Sequence, residues 1–160
     1  MPSTEAIALL KADHKRVKGL LDELEKSTER GPKKRVKLLA DIEKELKVHT
    51  NIEETIFYPA FREAVKKKED REMYFEALEE HHVVKLVLPE IKATDPASEP
   101  FGAKAKVLKE LVTHHAKEEE REMFPAARKV LDQEELEALG ARMLEKKTAL
   151  LKRGVPDDEA

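Results

Sequence analysis

The chain has 160 residues, no Cys, no Trp, 41% charged residues and 4% aromatics. That length fits one domain, and an apolar fraction of 40% can build a core. Zero Cys excludes disulfides and thiolate chemistry, and a net charge of -3 argues against nucleic acid or an anionic membrane as partner.

Apolar residues recur at spacings of three and four, which predicts helices throughout. A first helix follows Ser3 and Thr4, either of which can cap it, and carries Ile7, Leu10, His14, Val17, Leu21 and Leu24 on one face. It ends near Ser27, before Gly31-Pro32. A second helix starts at Pro32 and presents Leu39, Ile42, Leu46, His49, Glu53, Phe57 and Ala60. Pro59 lies inside that pattern, so a kink or break is expected there. Lys66–Arg71 reads as a charged connection. The third helix presents Tyr74, Ala77, His81, Val84, Leu88 and Ile91, and stops before a loop over Asp95–Pro100. The fourth presents Ala105, Leu108, Val112, His115, Glu119, Met123 and Ala126, with Pro125 as a second kink. A shorter fifth helix follows Asp132, which forms a capping-box pattern with Glu135.

These elements predict an all-α protein: an antiparallel up-down-up-down four-helix bundle with a fifth, C-terminal helix outside it. One domain over residues 1–152 is expected, with the bundle at about 4–131, the fifth helix at about 133–152 and a flexible tail over 153–160. No apolar run approaches 18 residues, and the N-terminus has no apolar signal core. A soluble, cytoplasmic protein is expected, with no membrane partner.

The two halves repeat. His14 aligns with His81, Val17 with Val84, Lys18 with Lys85 and Leu21 with Leu88, all 67 residues apart. His49 aligns with His115, Glu53 with Glu119, Glu54 with Glu120 and Pro59 with Pro125, all 66 apart. Two helical hairpins related by a pseudo-twofold axis account for this. The repeat also selects the inward member of each His pair, because helix neighbours point about 100° apart. His81 and His115 face inward. His82 and His114 fall toward the flank, and Glu54 and Glu120 lie at the surface or just outside the ligands.

His14, His49, His81 and His115 thus sit mid-face, and Glu53 and Glu119 follow a His by one turn. Buried unpaired carboxylates are expensive, and a bound cation removes the cost. Four imidazoles and two carboxylates are a metal-ligand set, and two carboxylates that can each bridge favour a dinuclear centre.

The strings His49-Thr50-Asn51-Ile52-Glu53-Glu54-Thr55-Ile56-Phe57-Tyr58-Pro59 and His115-Ala116-Lys117-Glu118-Glu119-Glu120-Arg121-Glu122-Met123-Phe124-Pro125 resemble the hemerythrin-like (HHE) cation-binding domain. Asp13-His14 and Glu80-His81 fit that family's first and third helices, so the resemblance covers about residues 5–130. It implies two non-haem irons with an oxo or hydroxo bridge, although His/carboxylate sites also accept manganese or zinc. By that resemblance His14 and His49 hold one iron, His81 and His115 the other, and Glu53 and Glu119 bridge them. Oxygen-carrying members have HxxxH on the third helix and HxxxxD on the fourth. Here the first spacing lands on Lys85 and the second on Glu120. Counting ligands then leaves one open position on each metal.

Two open positions suit O2, peroxide, NO or azide as small ligands, and peroxide decomposition of the catalase-like kind heads the functional reading. The alternative is a non-enzymatic iron, O2 or NO binding or sensing protein. A metal-free bundle serving as an interaction module is a third reading. No protein side chain is assigned a catalytic step. Lys18, Lys85 and Tyr58 are candidates for a place beside the metals. Either a monomer or a homodimer is compatible with the sequence.

Overall fold

Each helix begins and ends where local chemistry dictates. In the computed structural model, which describes residues 5–156, α1 spans Ala6–Lys26 and α2 spans Pro32–Ile52. The Ser3 and Thr4 caps lie outside the described residues. Glu5 takes the cap position, and its carboxylate accepts the Ala8 N–H at 2.6 Å. Ser27 closes α1, and Pro32 opens α2 at a position that needs no N–H. The second hairpin consists of α4 (Lys68–Lys92) and α5 (Glu99–Glu118). Both of its connections are shorter than the sequence implied. Lys68–Arg71 join α4, and Glu99 and Pro100 join the first turn of α5, where a Pro is tolerated.

Neither Pro59 nor Pro125 breaks its helix. Instead α2 passes through a π turn at Glu53–Phe57 into α3 (Tyr58–Ala64). Likewise α5 passes through a π turn at Glu119–Met123 into α6 (Phe124–Val130). A proline ring clashes with the carbonyl four residues back and cannot donate to it. One extra residue per turn relieves both problems, and the turns close through Tyr58 N–H to Glu53 C=O and Phe124 N–H to Glu119 C=O. The π turns therefore begin at the two carboxylates singled out from the sequence.

The last helix, α7, spans Gln133–Arg153. It is as long as α1, at 21 residues, rather than shorter, and its bounds agree with the expected 133–152. Asp132 and Glu135 form the predicted capping box. Gly154, at φ 84°, ends it in a backbone region that favours glycine. α7 packs along α1 and α2.

Two apolar clusters fill the bundle. One gathers Leu10, Ile52, Phe57, Phe61, Phe124 and Met143 around the π turns and α7. The other gathers Leu21, Leu39, Ile42, Leu88, Ile91 and Leu108 toward the opposite end. Between them lies a layer of polar side chains. At the far end Arg35 is buried and donates to carbonyls of Ser27, Pro96 and Ser98, which ties the α1–α2 loop to the α4–α5 loop. Its guanidinium also stands 5.1 Å over the Phe101 ring.

Candidate metal centre

The polar layer is built from six side chains on four helices and the two π turns. α1 supplies His14, α2 supplies His49, α4 supplies His81 and α5 supplies His115. The two π turns supply Glu53 and Glu119. Glu53 and Glu119 are 0% and 2% exposed. The rings of His14 and His49 are 5.0 Å apart, and those of His81 and His115 are 4.7 Å apart. These are the two pairs that the resemblance implied.

Glu53 Oε1 lies 3.1 Å from His49 Nε2 and 3.1 Å from His81 Nε2. Glu119 Oε1 lies 3.1 Å from His14 Nε2 and 3.2 Å from His115 Nε2. Each carboxylate therefore touches one His of each pair, the placement a bridging carboxylate needs. Within ligand reach of one another are His14, His49, Glu53 and Glu119 on one side, and Glu53, His81 and His115 on the other.

Every His also has a carboxylate behind it. Nδ1 of His14 donates to Glu120 at 2.8 Å, and Nδ1 of His49 to Asp13 at 2.9 Å. Nδ1 of His81 donates to Glu54 at 3.2 Å, and Nδ1 of His115 to Glu80 at 2.6 Å. These four bonds fix the tautomers and turn four Nε2 lone pairs inward. Apart from the Tyr58 hydroxyl, 3.2 Å from His81 Nε2 and 3.4 Å from His115 Nε2, the inward atoms face acceptors. His81 Nε2 and His115 Nε2 lie 3.1 Å apart, and neither His49 Nε2 nor Glu53 Oε2 has a hydrogen-bond partner. Lone pairs packed against lone pairs and carboxylates are unfavourable unless a cation sits among them. The residues present therefore fit a metal pair.

The electrostatics point the same way. Burial opposes charge on His49, yet the Glu53 carboxylate and the Asp13 hydrogen bond overcome it and push the imidazole up to about 10. Burial also opposes charge on His81 and His115. Their contacts with Glu53, Glu54 and Glu119 still hold both above the usual range. Burial would raise Glu53, but the His49 charge and its other partners hold it well below a normal carboxyl. The metal-free site thus collects protons where cations would sit.

Of the residues placed beside the metals, Tyr58 is buried and donates to Glu119 Oε2 at 2.9 Å. Burial and the Glu119 and Glu53 charges raise its phenol well above 10. Lys85 reaches the site indirectly, through an ion pair with Glu54 at 3.1 Å. Lys18 makes no such contact and lines a surface groove. His82 is exposed, and His114 pairs with Glu118 at 3.0 Å on the surface. The sequence reading gave Asp13 and Glu80 no role, although they repeat at the His14/His81 offset and that regularity was the available signal. It also missed Lys147, whose ammonium on α7 bonds Asp13.

A small cavity of about 30 Å³ opens beside the four His, walled by Val17, Leu46, Val84 and Val112. It has room for one or two non-hydrogen atoms and little more.

Such a bundle, with paired His and two buried carboxylates turned into its core, has the makings of a helical cation-binding protein. Residues 5–127 match the model of the hemerythrin HHE cation-binding domain, and the chain belongs to that family. It is similar to a crystal structure of a hemerythrin HHE cation-binding domain-containing protein from Mycobacterium kansasii. That match has a TM-score of 0.77 and 28% identity, and covers 93% of this chain and 91% of that one. It is also 31% identical over 129 residues to a Nostoc sp. protein named DNA nickase, covering 81% of this chain but 35% of that protein. No described helix is long and apolar enough to cross a membrane.

Proposed function

We propose that the centre holds two iron ions with an oxo or hydroxo bridge and acts on small O2-derived ligands, decomposing peroxide. The cavity of about 30 Å³ carries this reading, because it reaches all four His yet accepts only a ligand of a few atoms. When bound, the metal pair would supply redox equivalents and Lewis acidity. The protein's own part is to hold and orient. Asp13, Glu54, Glu80 and Glu120 fix the imidazoles, and four valine and leucine side chains keep bulk water from the open face. Tyr58 holds a proton at Oη, 2.9 Å from Glu119 and beside the His81–His115 pair.

Strand cleavage, the activity in the Nostoc relative's name, fits this centre poorly. Glu53 and Glu119 are sealed inside the bundle, where a phosphodiester within a DNA strand does not reach. The test is oxygen evolution from hydrogen peroxide by iron-loaded protein. Activity that disappears together with the near-ultraviolet bridge bands in His115→Ala supports the proposal. Intact bands with no oxygen evolved would replace it with the non-enzymatic alternative, ligand binding or sensing at the same centre.

A further inference from the structure

Two grooves lead from the surface toward the His layer, one on each side of the bundle. The first, of about 520 Å³, runs between α2 and α4 and reaches His81. The second, of about 480 Å³, runs between α1 and α5 and reaches His14. The pseudo-twofold axis relates them: His14, Lys18, Leu21 and Val112 of one correspond to His81, Lys85, Leu88 and Leu46 of the other. Their charge does not correspond.

In the α2/α4 groove every lysine has a carboxylate. Lys85 pairs with Glu54, and Lys47 and Lys92 both pair with Glu43. In the α1/α5 groove Lys11, Lys15, Lys18, Lys117 and Arg121 make no ion pair or hydrogen bond among the described residues. Lys18 stands in the field of Asp22, whose carboxylate Lys109 holds at 2.9 Å. The one carboxylate lining this groove, Glu120, accepts from His14. At the repeat offsets Lys11, Lys15, Lys117 and Arg121 correspond to Leu78, His82, Asn51 and Thr55. Four of the five cations therefore have no cationic counterpart at the repeat offsets, and the counterpart of the fifth, Lys85, is ion-paired. They stand in two facing rows, Lys11, Lys15 and Lys18 along α1 and Lys117 and Arg121 across from them.

We propose that the α1/α5 groove binds an organic phosphate of nucleotide size, held by cations outside the metal-ligand set although the groove's inner end reaches His14 and Glu120. Five unpaired cations around one concavity call for a ligand of several negative charges, and lysine ammonium groups suit phosphate oxygens as point charges. The volume lies in the range of small-molecule sites. Leu21, Val112 and Ala116 offer an apolar wall for the ligand's organic body, and Thr113 a hydroxyl. No Phe, Tyr or Trp lines the groove, so the stacking platform that single-stranded nucleic acid uses is missing.

Calorimetric titration of the metal-loaded protein at low salt tests this, with ATP, inorganic tripolyphosphate, citrate and a single-stranded 12-mer as probes. ATP binds at one site and more tightly than the other three. Lys15→Glu/Lys117→Glu weakens it by at least about tenfold, since two attractive charges become repulsive. The charge-matched control Lys33→Glu/Lys44→Glu leaves binding unchanged. Equal loss in both double variants, or none in the groove variant, overturns the site. Tripolyphosphate or citrate binding as tightly as ATP overturns the organic-phosphate assignment, and tighter binding of the 12-mer overturns it in favour of nucleic acid. Repeating the titration on metal-stripped protein gives the same affinity. A site that vanishes with the metal would instead place the phosphate on the iron and contradict the groove.

Discussion

The His14/His49 half and the His81/His115 half share their innermost chemistry and differ in almost everything around it. Each half has two imidazoles, and Glu53 and Glu119 touch both halves. The ring of outer carboxylates also obeys the repeat, with Asp13 matching Glu80 and Glu54 matching Glu120. Beyond that ring the symmetry fails. Phe124 stacks on His14 at 5.9 Å and Tyr58 on His81 at 5.2 Å, but only Tyr58 adds a hydroxyl, which it presents to Glu119 and its own imidazoles. Asp13 is further bonded by Arg16 and by Lys147 of α7, whereas Glu80 shares its carboxylate with the surface residue His114 at 3.6 Å. Lys85 is paired and Lys18 is not. Under the proposed dinuclear centre, holding metal demands the same geometry twice, while access and proton supply are free to differ.

Substitutions can test that division. The largest effect falls on the shared carboxylates. Glu53→Ala removes a ligand from both groups, so metal analysis finds both positions emptied. Retention of a full complement would show that Glu53 does not bridge. The next effect separates the halves. Asp13→Asn and Glu80→Gln each leave the inner ligands in place but loosen an imidazole, lowering metal affinity by about 10–100-fold. Competition with a chelator should rank Asp13→Asn as the more damaging, because it also weakens the tie to α7. An equal loss in the two variants would mean that α7 adds nothing to the site.

The effect of pH comes third and concerns the metal-free protein. His49 holds its proton up to about pH 10 in the folded state but only below about 6.5 when unfolded. The folded state therefore binds the extra proton between those values. That stabilisation is complete below about 6.5 and is lost as pH rises through about 10. The melting temperature of metal-free protein should fall from pH 7 to pH 10, and the metal-loaded protein should change less. A rise on the alkaline side in the metal-free protein would contradict the assignment. The smallest effect belongs to Tyr58→Phe, which makes the two halves alike. Metal content should hold, while the peroxide rate drops within about tenfold as Glu119 loses one charge-assisted donor. An unchanged rate would confine Tyr58 to packing.

Much of this could be read from the chain itself. A His in the middle of an apolar stripe stands out, and four of them with two carboxylates at matched offsets define both hairpins and the inner site. Asp13 and Glu80 were harder to see. In a chain with 41% charged residues an acidic side chain beside a His reads as solvated, and only the fold shows each reaching across to a neighbouring helix. The prolines misled in one respect. Their clash with the preceding turn is relieved by a π turn that carries the helix on rather than breaking it, and no periodicity marks that extra residue. Arg35 has no carboxylate partner to signal its burial, because backbone carbonyls of two loops satisfy it. The bounds of α7 were legible, but neither Lys147 nor the side on which α7 packs could be placed, since one amphipathic stripe does not say which helices it will cover.

The central claim is that one buried layer holds two metals between matched halves. Metal analysis of protein purified from iron-supplied cells, read together with its absorption spectrum, tests it most directly. The account predicts about two irons per chain and near-ultraviolet bands from a solvent-derived bridge. Iron below about 0.2 per chain that does not rise on reconstitution, or a single metal without those bands, would contradict it.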